Sequence, residues 1–265
     1  MSRVIAIANQ KGGVGKTTTA INLGACLAVA ERPTLLVDAD PQANATSGLG
    51  VERDQLAKTI YEVLLEGTPA EDVVLQSLHF PLLDLLPSNR DMLGAEVALA
   101  RRAGRETLLR DALEPIRGRY EYIIVDSPPS LGLLTINALA AADTVLIPIQ
   151  CEYYALEGLT QLLNTVRLVQ RSLNPRLQIE GVLLTMYSDR LNLSRQVAEE
   201  AREYFGPKMF RTSIPRNIRL AEAPSFGKPI VLYDVLSSGA ASYLALAKEL
   251  MGRNGSGQKA TEATG

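Results

Sequence analysis

The run Val4-Ile5-Ala6-Ile7-Ala8-Asn9-Gln10-Lys11-Gly12-Gly13-Val14-Gly15-Lys16-Thr17-Thr18 decides the fold. Its first five residues are apolar, as a buried strand requires, and a helical pattern opens at Thr18 and continues to residue 27. Strand, glycine loop and helix in that order make a phosphate-binding loop. Glycines let backbone amides curl around phosphate oxygens, and the helix N-terminus adds the positive end of its dipole. The candidate nucleotide contacts are therefore Lys11, Gly12, Gly13, Val14, Gly15, Lys16, Thr17 and Thr18. Lys16 is placed to reach the β- and γ-phosphates as a point charge, and the Thr17 hydroxyl to ligate Mg2+. The usual spacing puts a glycine at position 10, where this chain has Gln10. A second lysine, Lys11, stands directly before the glycine pair instead.

Other apolar runs read as buried strands: Thr34-Leu35-Leu36-Val37-Asp38, Tyr122-Ile123-Ile124-Val125-Asp126, Thr144-Val145-Leu146-Ile147-Pro148 and residues 179–186. Each is too continuous for a strand with one wet face. Helical patterns at 18–30, 131–142, 156–173 and 193–205 separate them. The expected fold is α/β: a doubly wound, mostly parallel sheet with helices on both faces. Ligands of such sheets sit at the carboxyl ends of the strands. The loop after Ala8, Asp38 and Asp126 therefore converge on one place. Residues 51–120 say less: 59–65 and 90–117 look helical, a short strand falls at 82–86, and Arg102-Ala103-Gly104 marks a turn. The basic cluster Arg101, Arg102 and Arg105 reads as a solvated helix end.

The chain has 265 residues, 46% of them hydrophobic, enough to bury one substantial core. The expected organisation is one domain over 1–251 and a disordered tail over 252–265, where apolar periodicity stops. No apolar run reaches the length of about 18 residues that a membrane helix needs. A strand starting by residue 4 leaves no room for a signal peptide. Two separated cysteines, Cys26 and Cys151, form neither a disulfide framework nor a metal site, and a reducing cytoplasm fits them. Cys26 reads as core filler in the first helix. His79, the single histidine, reads as a loop residue. The net charge of −2 gives no global nucleic-acid signature, so any DNA contact needs a local patch.

Asp38-Ala39-Asp40-Pro41-Gln42-Ala43-Asn44 leaves the second strand. A carboxylate there can orient a water or hold Mg2+ from its outer shell; the alternative is a turn or helix-cap aspartate. Tyr122 to Asp126 fits a Walker B strand, its closing carboxylate holding Mg2+ through water. Pro128 and Pro129 fix the loop that follows, as a γ-phosphate-sensing switch needs. From 205 to 230, Lys208, Arg211, Arg216, Arg219 and Lys228 face Glu222 alone, a net +4, with Arg190 and Arg195 nearby. On an acidic protein this is a candidate phosphate-tracking face, an ordinary solvated surface being the alternative.

The glycine loop resembles the deviant Walker A loop of the ParA/MinD family of ATPases. The resemblance implies that Lys11 reaches the nucleotide of a facing subunit and that the working unit is a nucleotide-dependent homodimer. Asp38 to Asn44 resembles the family segment whose second aspartate positions the attacking water, which implies Asp40 as a catalytic residue beside Lys11 and Lys16. Asp126-Ser127-Pro128-Pro129 resembles the family's Walker B form. Leu184-Thr185-Met186-Tyr187, Arg190-Leu191-Asn192-Leu193 and the stretch Ile214 to Pro229 resemble the chromosomal ParA (Soj) branch. Arginines matching Arg190 and Arg219 there bind DNA without sequence preference, and Arg195 and Arg216 add to that face. Positions matching Pro215 and Asn217 contact adenine. Gln150 to Gly158 also resembles this branch, with a dimer or nucleotide contact implied and a structural turn as the alternative. Ala43 departs from the glycine of many relatives.

The resemblance runs from about Val4 to Leu250. It implies a slow ATP hydrolase using ATP and Mg2+, whose ATP-bound dimer binds double-stranded DNA non-specifically. A ParB-type centromere-binding protein stimulates hydrolysis and release. The expected location is cytoplasmic, on the nucleoid in the ATP state, with control of replication initiation a further role of the branch. The chain starts at the first strand, without the helix-turn-helix domain of larger plasmid relatives. A MinD-like membrane ATPase is the alternative function, but the end of the chain lacks the basic amphipathic face this requires. A metabolic enzyme such as an amidoligase is a further alternative, without a histidine or cysteine placed to serve it.

Overall fold

The computed structural model describes residues 2–152 and 157–262. The strands are β1 (Arg3–Ile7), β2 (Thr34–Asp38), β3 (Leu83–Leu86), β4 (Tyr122–Asp126), β5 (Thr144–Gln150), β6 (Gln178–Tyr187) and β7 (Met209–Pro215). They form one sheet in the order β3-β2-β4-β1-β5-β6-β7, every pairing parallel. The α-helices are α1 (Lys16–Val29), α2 (Asn44–Gly48), α3 (Ile60–Glu66), α4 (Ala95–Leu99), α5 (Leu108–Arg117), α6 (Leu133–Ala141), α7 (Glu157–Ser172), α8 (Asn192–Phe205), α9 (Ile218–Glu222), α10 (Ile230–Tyr233) and α11 (Ser238–Glu262).

Alternation along each strand splits the core in two. Val4 and Ala6 of β1, Leu35 and Val37 of β2, and Ile123 and Val125 of β4 pack with apolar residues of α3 to α8. Ile5 and Ile7, Leu36 and Ile124 face the other way, onto α1, α10 and α11. Both faces are covered, so the central strands are apolar throughout, as the sequence implied. The helix behind the glycine loop is anchored from the distant end of the chain. The hydroxyls of Thr19 and buried Tyr243 lie 3.2 Å apart, and the Ile230 amide donates to Asn22 Oδ1 at 2.6 Å.

Three expectations change. β7 was not anticipated, because it is an edge strand of mixed burial and its sequence carries charge in place of an apolar run. The expected helix over 90–117 is broken into a 3-10 turn, α4 and α5. Gly104 takes a left-handed φ of 67° in the gap. Arg102 there donates to the carbonyls of Leu64 and Leu65 at 2.7 and 2.8 Å, capping the end of α3, so it is more than a solvated charge. Helix α11 runs Ser238–Glu262 and is tied to β7 near its middle. Arg253 lies on the Phe210 ring, 4.0 Å from its centroid, and donates to Glu249 and to the Met209 carbonyl.

Candidate nucleotide and metal site

β1 lies mid-sheet with β4 and β2 on one side and β5 to β7 on the other, so its carboxyl end opens the crevice where the connections change direction. The glycine loop occupies that end. Gly13 and Gly15 take φ of 75° and 86°, a left-handed conformation that turns their amides inward and that side chains disfavour. Three side chains pin the loop. Asn9 accepts from the Lys11 amide at 3.0 Å and donates to the Pro148 carbonyl at 2.7 Å. The Thr185 hydroxyl on β6 lies 2.9 Å from the Val14 carbonyl and 3.1 Å from that of Ile149. The Ser127 hydroxyl donates to Ile7 at 2.7 Å.

Lys16 is buried, 6% exposed, and its ammonium donates to the Lys11 carbonyl at 3.1 Å. Burial holds its pKa below the ordinary lysine value, while Asp126 and then Asp40 pull it up. Both aspartates therefore act on the lysine that the sequence placed beside the phosphates. Asp38 and Asp126 are register partners at the tips of β2 and β4. Asp126 is fully buried, neither carboxylate oxygen makes a well-formed hydrogen bond, and the side chain of Thr17 is the hydrogen-bonding group beside it. Burial, then the charge of Asp38, pushes its pKa well above the ordinary carboxyl value. The Thr17 side chain, by hydrogen bonding, and then the charge of Lys16 pull it the other way. A buried carboxylate with poorly satisfied oxygens beside a helix-start threonine is what a hydrated divalent cation satisfies, and Thr17 and Asp126 fit Mg2+ on that ground.

Asp38 is equally buried but fully engaged. One oxygen accepts from the Thr46 amide at 2.8 Å and hydroxyl at 2.7 Å, the other from the Asp40 amide at 3.3 Å. Burial raises its pKa to about 6 despite those bonds. Asp38 is thus the anchor of the turn, and Asp40 is the carboxylate left near the loop. Asp40 accepts from the Gln42 amide at 2.9 Å. Ala43 sits buried at φ 52°, a left-handed conformation that a side chain disfavours.

Lys11 is half-exposed and its ammonium lies 3.3 Å from Glu152. Arg216 approaches the same carboxylate at 4.0 Å. Residues 153–156 of the Gln150–Gly158 stretch lie outside the described residues, so the implied contact there is confined to Glu152. Pro215 ends β7 beside Tyr187 of β6, and Asn217 caps α9, accepting from Leu220 at 3.3 Å and donating to Ser238 at 2.7 Å. Arg190, Arg195, Arg216 and Arg219 are all exposed, on elements that follow the carboxyl ends of β6 and β7. Arg219 is paired, at 3.0 Å to Glu222 and 3.4 Å to Asp234, and Arg195 bonds Asn192.

A protein-family model described as an AAA domain matches residues 2–179. The chain is 59% identical over 254 residues to the chromosome partitioning protein ParA of Myxococcus xanthus, covering 96% of this chain and 89% of that one. The sporulation initiation inhibitor protein Soj of Bacillus subtilis is 57% identical over 250 residues, covering 94% and 98%. The chain belongs to the ParA/Soj chromosome-partitioning family. Among solved structures, a Mycobacterium smegmatis protein described as cobyrinic acid a,c-diamide synthase, with bound ADP and magnesium, superposes at a TM-score of 0.85. It is 39% identical and covers 97% of each chain. The ParA/Soj motifs did not mark the contacts that Asn9 and Thr185 make with the glycine loop, nor the bonds by which the Thr46 hydroxyl donates to Asp38 and accepts from the Ser88 amide. Asn9 was within reach, lying two residues before Lys11; the others act across the fold, where no local spacing marks them.

Proposed function

We propose that this chain is a DNA-partitioning ATPase whose ATP-bound form pairs two subunits face to face and holds duplex DNA without regard to sequence. Hydrolysis, stimulated by a ParB-type partner, releases the DNA. The observation that carries the reading is the buried Asp126 carboxylate, with only Thr17 to bond it, set against buried Lys16 under the glycine loop. Mg2+, when bound, neutralises charge on the β- and γ-phosphates. Thr17 would hold it directly and Asp126 through water. Lys16 meets the γ-phosphate as a preorganised positive charge whose desolvation has already been met in folding. Asp40 orients the attacking water and holds its proton at a carboxylate oxygen. Lys11 swings from Glu152 to the nucleotide of the facing subunit, so a lone subunit turns over slowly. Pro215 and Asn217 border the adenine. In this reading the protein is cytoplasmic and sits on the nucleoid in its ATP state.

An amide synthase that took nitrogen from glutamine would need a nucleophilic thiol. Burial pushes Cys26 up to about 12 and Cys151 to about 11, which removes both from that role. A membrane-bound MinD-like role is disfavoured because Tyr243, Leu246 and Leu250 of α11 are buried in the core.

The test is a gel shift with non-specific duplex in ATP, in ADP and without nucleotide. Retardation in ATP alone, stronger for Asp40→Ala and lost in Arg219→Ala, is expected. Absence of binding in every state would overturn the DNA-partitioning reading.

A further inference from the structure

The turn that carries Asp40 is held by a closed ring of hydrogen bonds drawn from three separate parts of the chain. Asp40 is fixed at both of its backbone polar groups. Its amide donates to the Asp38 carboxylate at 3.3 Å, and its carbonyl accepts from the Ser88 hydroxyl at 3.1 Å. Thr46 closes the ring: its hydroxyl donates to Asp38 at 2.7 Å and accepts from the Ser88 amide at 2.9 Å. Asp38, Thr46 and Ser88 are all fully buried, so water does not compete for these bonds.

We infer that the hydroxyls of Thr46 and Ser88 are positioning residues for hydrolysis, setting the Asp40 carboxylate by clamping the backbone on which it stands. The inference rests on the assignment of Asp40 to the attacking water. Neither hydroxyl bonds the glycine loop, Lys16 or Thr17, so nucleotide binding does not depend on them. Asp40 itself has only the Gln42 amide to fix its carboxylate, and the turn around it is strained at Ala43. Without the ring the Asp40 backbone keeps only the Ala43 amide, which donates to its carbonyl at 2.9 Å, and the turn can shift; a displacement of about 1 Å at a catalytic group costs about 100-fold in rate.

The experiment measures ATP turnover and MgADP affinity for Thr46→Val, Thr46→Ser and Ser88→Ala. Thr46→Val keeps the shape and loses the hydroxyl. It is expected to lower kcat by about 10- to 100-fold with MgADP affinity within about twofold of the parent. Thr46→Ser, which keeps the hydroxyl, should restore turnover. Thr46→Val should also cost nothing further in an Asp40→Ala background, because it acts through Asp40. Ser88→Ala removes only the bond to the Asp40 carbonyl and carries the same kcat test should Thr46→Val not fold. Parental turnover in Thr46→Val and Ser88→Ala, or a parallel loss of nucleotide affinity, would overturn the inference. Parental turnover in Asp40→Ala would instead overturn the assignment beneath it.

Discussion

Asp126 carries a cost in the metal-free protein. Its carboxylate is buried next to Asp38 with only the Thr17 side chain to bond it, and both acids have pKa values raised by burial, that of Asp38 to about 6. A raised folded-state pKa means that the native state binds the proton more tightly than the unfolded chain. The associated stability is present below the ordinary carboxyl value of 3.8 and is lost as pH rises through the raised value. The metal-free protein in chelator should therefore melt at falling temperature as pH rises from 5 to 8. Asp126→Asn, which cannot ionise, should fall less steeply and exceed the parent by about 1–3 kcal/mol at pH 8, the cost of an unsatisfied buried group. The same substitution should lower Mg2+-dependent turnover by at least about tenfold. Thermal melts across pH, paired with turnover, check both. A parent and variant with parallel pH profiles would show that Asp126 is not the strained group.

β7 and α11 are tied by one acid. Glu249 accepts from the amides of Arg211 and Thr212 at 2.8 and 2.9 Å, from the Thr212 hydroxyl at 2.9 Å and from Arg253 at 2.9 Å. Burial pushes its pKa up, but these bonds outweigh it and the net shift is downward. The stability it confers is present above the ordinary glutamate value of 4.5 and is lost as pH falls through the depressed one. Glu249→Ala should cost about 2–3 kcal/mol at neutral pH, leaving two edge-strand amides without acceptors. Glu249→Gln should cost less, and its gap from the parent should close in acid. Elements of this kind also mark what a sequence can show. β1, β2, β4, β5 and β6 were legible because burial on both faces leaves an apolar run. β7 was not, because an edge strand sheds that pattern and draws its order from α11, about 40 residues on. Likewise the convergence of Lys16, Thr17 and Asp126 on one place was legible, because the glycine loop and Asp126 both lie at strand ends. Thr46 and Ser88 were not, because the bond joining them spans 42 positions and has no local period.

At the scale of the whole molecule, the position of Lys11 tests the proposed dimer. In the single subunit it lies on Glu152, and exposed pairs of this kind are worth only about 0–1 kcal/mol. That is too little to hold the lysine against a nucleotide phosphate. If Lys11 completes the site of a facing subunit, two inactive variants should rescue each other. Lys11→Ala subunits retain Asp40, and Asp40→Ala subunits retain Lys11. In a mixed dimer the Lys11→Ala subunit supplies its own Asp40 and receives Lys11 from its partner, so one of the two sites is whole. Random pairing of equal amounts makes about half of the dimers mixed, and turnover should return to about a quarter of the parental rate. The rate should follow the product of the two subunit concentrations as their ratio is varied. If Lys11 works within its own subunit, no mixture contains a complete site, and turnover stays at the level of the two variants measured apart.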